Sequence, residues 1–193
     1  MGQGLKIVLA STSPRRRQLI GMLGLPFQVV DPGEVEETSE GEPAEVVLLN
    51  AMAKARSVVD SMDGELVISA DTIVVKDGVI LGKPFGPGEA REMLMTLRGA
   101  WHRVYTGIVV WDTGSGRVES DVVETDVKMR PLSEGEIANY IASGEPLDKA
   151  GGYAVQGLGA ILVEEVRGCF YNVVGLPLSH LSLLLRKLDV RLL

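Results

Sequence analysis

The chain has 193 residues, 46% of them hydrophobic and 23% charged, with a formal net charge of −7. That length is enough for one substantial core, and the negative balance argues against non-specific binding to nucleic acid or to an anionic membrane, so a polyanionic ligand must be met by a local cluster of cations. A single cysteine, Cys169, excludes an internal disulfide framework and a cysteine-based zinc site, as expected in a reducing compartment.

Taken in order, the apolar run Leu5 to Ala10 is short enough for a buried strand and ends in the hydroxyls of Ser11, Thr12 and Ser13. It runs straight into arginines and is too short for the apolar region of a signal peptide. No apolar stretch nears the roughly 20 residues that span a bilayer, so the expectation is a cytoplasmic protein. Ser13 can cap a helix that starts at Pro14 and turns Leu19, Ile20 and Leu23 inward. The helix N-terminus then presents free N–H groups, serine hydroxyls and the run Arg15, Arg16, Arg17, a corner suited to phosphate. A second short strand, Pro26 to Val30, leads to the acidic loop Asp31 to Gly41. Its Glu34, Glu36 and Glu37 are either solvated charges or, beside a phosphate site, oxygen ligands for magnesium.

Pro43 opens a helix to about Met62, with Val46, Leu49 and Ala53 as its inner face and Lys54 at the edge of that face. In the stretch ELVISADTIVV, Glu65 to Val75, two apolar triplets flank Ser69, Ala70, Asp71 and Thr72. A carboxylate in a strand that otherwise reads as buried is costly without a cation or hydrogen-bond donors beside it, so Asp71 is a candidate functional group. Asp77-Gly78 turns a hairpin whose return strand ends at Gly82-Lys83-Pro84, which can bring Lys83 towards Asp71.

Pro87 to Leu97 is an amphipathic helix. Trp101 to Asp112 and Arg117 to Met129 form a ribbon turned at Gly114-Ser115-Gly116, with the alternation of a half-exposed sheet edge. Ser133 and Glu136 make a capping box for the helix that runs to Ser143. The segment EPLDKAGGYAVQGLG, Glu145 to Gly159, is too rich in glycine and mixed charge for a plain element, and its Asp148, Lys149, Tyr153 and Gln156 suit a ligand-binding loop. A strand from Ala160 to Val166 and a Leu-rich helix ending near Leu188 complete the chain. The α and β segments interleave, so the class is α/β with a mixed sheet. His102 and His180 are too distant in sequence to suggest a histidine metal centre or a Ser-His-Asp triad.

Ser11, Arg15, Arg16, Lys54, Lys83 and Lys149, set against Glu36, Asp71 and Asp148, are what a magnesium-bound triphosphate needs: cations for phosphate oxygens, carboxylates for the metal. Neither a GxxxxGK[ST] loop nor a GxGxxG is present. The motifs LASTSPRRRQL, EVEET, ISADTIVV with ILGKP behind it, VYTG at 104–107, DKAGGYAVQG and YNVVGLP follow one another from end to end. By these motifs the chain resembles the Maf family of nucleotide pyrophosphatases.

The resemblance implies one domain over residues 1–193, with two lobes around a central cleft in an elongated mixed sheet flanked by helices, similar to the inosine triphosphate pyrophosphatases (Maf/Ham1). It implies hydrolysis of a nucleoside triphosphate to monophosphate and pyrophosphate with a divalent cation, Mg2+ or Mn2+. Ser11, Arg16, Lys54 and Lys83 would contact phosphates, and Lys149 joins them on its charge alone. Glu36 would assist metal binding, and Asp71 would be the catalytic acidic residue, as proton acceptor or as metal ligand. Arg15, Thr72 and Gln156 match the branch acting on dTTP and UTP, with modified pyrimidine nucleotides as further substrates. The branch acting on 7-methyl-GTP resembles SPW, SDQ and an acidic residue at those places. A homodimer is expected from the family only, with no nucleic-acid or membrane partner. Two other readings stand beside this one: a nucleotide-binding regulator of cell division or stress that hydrolyses slowly or not at all, and an α/β module for another ligand.

Overall fold

A mixed sheet of seven strands organises the chain in a computed structural model that describes residues 6–193. Leu5, the first residue of the expected N-terminal strand, lies outside the described residues. The strands are β1 (Ile7–Ala10), β2 (Phe27–Val30), β3 (Leu66–Lys76), β4 (Val79–Leu81), β5 (Trp101–Asp112), β6 (Val118–Met129) and β7 (Val163–Arg167). Their order is β2-β1-β3-β5-β6-β7, with β4 on β3. β1 runs parallel to β2 and β3, and the other pairings are antiparallel. The helices are α1 (Pro14–Gly21), α2 (Pro43–Val59), α3 (Pro87–Leu97), α4 (Glu134–Ala142), α5 (Phe170–Val174) and α6 (Leu178–Lys187).

Strand alternation divides β3 between two layers. Leu66, Ile68 and Ala70 pack against Leu19 and Ile20 of α1 and Leu181, Leu184 and Leu185 of α6. Further along the same face, Val74 meets Leu94 and Leu97 of α3 and Ile137 and Tyr140 of α4. On the opposite face Val67 meets Ala51, Ala55 and Val58 of α2, and Ile73 and Val75 meet Val46 and Val47. The inner face of α2 is therefore turned from the expected one: Leu49 is 60% exposed. The run from Val46 to Leu49 has no periodicity of its own, so the small Ala51 and Ala55, one turn apart, decide which side seats on the sheet.

That seat is close because of Gly107, which pairs with Asp71 across β5 and β3. A Cβ at 107 would fall 2.5 Å from the carbonyl oxygen of Val47. The missing side chain lets α2 descend on the sheet beside Asp71. Gly107 sits in a ribbon that the alternating pattern presents as a sheet edge, yet β5 lies between β3 and β6 with Ile108, Val109 and Val110 buried, and β7 covers β6. Its alternation comes from β6, whose outer residues stay wet while a strand distant in sequence pairs with it. Likewise, Gly157–Leu162 forms 3-10 turns rather than the start of a strand, and β7 begins at Val163.

The sheet has one interruption that matters. β1 accompanies β3 as far as Ala10 opposite Ser69, and β4 takes up that edge only at Leu81 opposite Val74. From Ala70 to Ile73, β3 thus has a strand neighbour on its β5 side and, among the described residues, none on the other.

Beyond the gap, His102 on β5 is buried edge-on against Tyr153, with ring centroids 5.2 Å apart and Nε2 2.6 Å from the phenol oxygen. Burial, helped by the charge of Lys76, pushes the His102 pKa down to about 4 from 6.5. As pH falls, the unfolded imidazole protonates first. The contribution of the neutral buried ring is therefore complete above about pH 6.5 and gone by about pH 4. The expected loss from this group is about 3 kcal/mol of unfolding free energy. Urea titrations across that window check it: His102→Gln should flatten this part of the pH dependence, and an unchanged slope would assign it elsewhere.

Candidate active site

The gap along β3 opens into a cavity of about 850 Å³ at the carboxyl end of β1, where open sheets with parallel strands leave room for ligands. Its wall includes Ser11, Arg15, Arg16, Lys54, Asp71, Thr72, Lys83, Lys149 and Gln156. These residues come from β1, α1, α2, β3, the β4 hairpin and the glycine-rich loop, so six separate segments converge.

Asp71 is the centre. It is 8% exposed and points to the α2 face, where Lys54 Nζ lies 2.6 Å from Oδ1 and Asn50 Nδ2 donates to Oδ2 at 3.1 Å. Burial pushes its carboxyl pKa up, but the charges of Lys54 and Arg16 and the hydrogen bonds from Lys54 and Asn50 outweigh burial and hold it below the usual value. Asp71 is ionised at neutral pH. Lys54 does not snorkel to solvent: its side chain is 12% exposed and bridges Asp71 to Glu37, whose Oε1 is 2.7 Å from Nζ.

Asn50 was not singled out from sequence. Besides donating to Asp71, it accepts from the Thr38 N–H at 2.9 Å and donates to the Thr38 carbonyl at 3.0 Å, so one buried carboxamide ties the acidic loop to the strand. The only local signal is a polar residue at a helix position facing the sheet.

The other face of β3 carries the second half of the site. Ser13 caps α1 by accepting from the Arg16 N–H, and the Ser11 hydroxyl accepts from Ser13 N–H at 3.2 Å. Arg16 folds back from this helix: Nε donates to the Gly175 carbonyl at 2.8 Å and Nη2 to Thr72 Oγ1 at 3.0 Å. Burial lowers the Arg16 pKa, opposed by the charge of Asp71, and a guanidinium stays charged regardless. Thr106 Oγ1 donates to the Asn172 carbonyl at 3.1 Å, which leaves it to accept the Thr72 proton at 2.9 Å. With its proton directed inward, Thr72 has only lone-pair acceptance to offer the cavity.

The glycine-rich loop is held by Glu145, another residue that the sequence did not mark. Its carboxylate accepts from the N–H groups of Leu158 and Gly159 and from the Tyr140 hydroxyl, at 2.9–3.0 Å. Burial raises its pKa, but these donors and Lys149 win and lower it. Lys149 Nζ donates to the Glu145 carbonyl and to Asp148, and the Gly151 N–H donates to the Gly82 carbonyl, which docks the loop on the segment carrying Lys83.

Glu36 departs from expectation. Its side chain is exposed and is absent from the cavity wall, and Glu37 takes the place beside Lys54. Two adjacent glutamates in a loop have no strand parity to separate them, and the Asn50 clamp on Thr38 selects the second. Among the described residues no cluster of three His, Cys, Asp or Glu side chains could hold a metal. Magnesium, however, is usually held by one or two carboxylates together with substrate phosphates. Asp71 and Glu37, both oxygen donors converging on one ammonium, fit that arrangement.

The chain is 49% identical over 191 residues to a protein from Dictyoglomus thermophilum (strain ATCC 35947 / DSM 3960 / H-6-12) named dTTP/UTP pyrophosphatase, covering 97% of this chain and 98% of that one. It is also 49% identical over 191 residues to a protein of the same name from Thermoanaerobacter sp. (strain X514), covering 98% of this chain and all of that one. The likeness to the solved Staphylococcus aureus Ham1 protein is partial, with 16% identity and a TM-score of 0.47 over 65% of this chain and 72% of that one. The Maf-like protein family matches residues 6–188, and on that match the chain belongs to the Maf family.

Proposed function

We propose that the protein hydrolyses dTTP and UTP to the monophosphate and pyrophosphate. The observation that carries this reading is that Arg15, Arg16, Lys54, Lys83 and Lys149 line one cavity of nucleotide size together with the ionised Asp71. Full-length relatives named dTTP/UTP pyrophosphatase support the choice of nucleotide.

In this reading the triphosphate lies along the lysines and arginines, with the α-phosphorus facing Asp71. Water attacks that phosphorus, the bond to the bridging oxygen of the β-phosphate breaks, and pyrophosphate leaves with the charge that Lys54, Lys83 and Lys149 neutralise. Ser11 and the N-terminus of α1 supply donors to phosphate oxygens. Asp71 and Glu37 would hold a divalent cation, which when bound supplies charge neutralisation and acidifies water. The lowered pKa of Asp71 favours holding a cation or orienting a water over storing a proton. On the other face, the Thr72 acceptor suits the imide N–H of thymine or uracil, and cytosine has no proton there. Arg15 and Gln156, in the wall of the same cavity, complete the specificity set.

Product analysis across a panel of nucleoside triphosphates tests the whole reading. Pyrophosphate from dTTP and UTP, little from purine nucleotides and none without divalent metal is the expected result. Orthophosphate as first product would mean attack at the terminal phosphate and would overturn the mechanism. Tight nucleotide binding without turnover would favour a nucleotide sensor.

A further inference from the structure

The ammonium of Lys54 stands between the two carboxylates that fit a metal, 2.6 Å from Asp71 and 2.7 Å from Glu37. At those distances it fills the space between them, and its side chain is nearly enclosed. A divalent cation held by the same pair must push the ammonium aside, which deprives Lys54 of both partners at once. A charged lysine without a partner is costly to keep in so enclosed a place. The side chain therefore needs a new anion, and the cavity that Lys54 lines is the one whose other cations, Lys83 and Lys149, suit a polyphosphate.

We infer that Lys54 is an internal competitor of the metal: it neutralises the Glu37–Asp71 pair until a substrate phosphate takes the ammonium over, so metal and nucleotide bind cooperatively through the exchange of one lysine. This rests on the reading above that Asp71 and Glu37 hold the metal. By linkage the coupling is reciprocal: nucleotide raises metal affinity by the factor by which metal raises nucleotide affinity. An isolated metal ion finds the site already neutralised, and an isolated nucleotide finds Lys54 already paired. The device keeps the two from loading separately. Asn50 gives it a fixed end, because it holds Asp71 Oδ2 and the Thr38 backbone whichever cation lies between the carboxylates.

The test is equilibrium Mn2+ binding to the full chain without nucleotide, followed by electron paramagnetic resonance of free Mn2+. Lys54→Met, which keeps most of the side-chain volume and removes the charge, should bind Mn2+ at least about tenfold more tightly than wild type, a typical allosteric coupling. Lys54→Gln should do the same and guards against a folding defect in the first variant. The gain should vanish in the double variants Lys54→Met/Glu37→Gln and Lys54→Met/Asp71→Asn. If neither single variant gains affinity, while Glu37→Gln and Asp71→Asn still weaken Mn2+ binding in the presence of α,β-methylene dTTP, the exchange is overturned and the metal reading stands. If the gain survives in both double variants, or if neither carboxylate variant weakens Mn2+ binding, the metal lies elsewhere and both fall.

Discussion

Asp71→Asn should lose about a thousandfold in kcat, the middle of the range for removing a general base or an equivalent charged group, while retaining nucleotide affinity. The carboxamide has nearly the carboxylate's shape, and its one carbonyl oxygen stays with Asn50, whose amide is fixed by Thr38, while its NH2 group turns to Lys54, which loses that acceptor. What disappears is one negative charge at 8% exposure, held ionised against burial by two cations and two hydrogen bonds. Lys54 is left with Glu37 alone and becomes more available to phosphate, so binding of α,β-methylene dTTP in the absence of divalent metal should be unchanged or tighter. Steady-state turnover and calorimetric binding on the same preparation separate the two effects. Wild-type turnover would remove Asp71 from the mechanism, and loss of both binding and turnover would mean that the substitution damaged the cavity itself. The wild-type pH profile gives a second check. A carboxyl group with a lowered pKa supports activity that is complete at neutral pH and is lost only as pH falls below the usual carboxylate value of about 3.9. An acid limb centred near pH 6 would belong to another group.

Gly107→Ala should cost about 3 kcal/mol of unfolding free energy, at the upper end of ordinary overpacking, and should reduce turnover as well. The added methyl would meet backbone, not a side chain that can turn away: Val47 O at 2.5 Å and Leu48 N at 2.9 Å. Either α2 rises or β5 bends, and both move Asn50 and Lys54 relative to Asp71, the cross-strand partner of Gly107. Gly88→Ala in α3, where a Cβ meets nothing within 4 Å, is the control and should be neutral or slightly stabilising. Urea denaturation compares the three proteins. Equal midpoints would show that α2 can lift off the sheet at no cost.

These two positions differ in how they could be read from sequence. Asp71 was visible because a charge inside an apolar strand has a cost that something must offset, and that inference needs no partner to be named. Gly107 belongs to a motif, but its meaning depends on a helix crossing above it, and no local pattern reports where a helix crosses. Asn50 is in the same position, since its three hydrogen bonds join segments 12 and 21 residues away. The capping box at Ser133, the Asp77-Gly78 turn with its positive φ angles and the limits of α3 were all legible, because each is decided within a few residues. The position of the β5–β6 ribbon inside the sheet was not, because the strand that covers β6 begins more than thirty residues later in the chain. The cavity's cations and Asp71 were legible as chemistry, and it took the fold to replace Glu36 by Glu37 and to bring the set together.

The break in the edge of β3 has a consequence for how such a site can change. Asp71 and Thr72 are neighbours in sequence, yet one faces Asn50 and Lys54 while the other faces Arg16 and Thr106. Because no strand closes this stretch, both sides open on a single chamber. A new side chain at 72 would meet Arg16 and Thr106 on the α1 side of the sheet and leave the hydrogen bonds of Asp71 to Asn50 and Lys54 beneath α2 in place. On the proposed function, the preference for a base can therefore drift through position 72 while Asp71 and its hydrogen-bond partners beneath α2 are inherited intact.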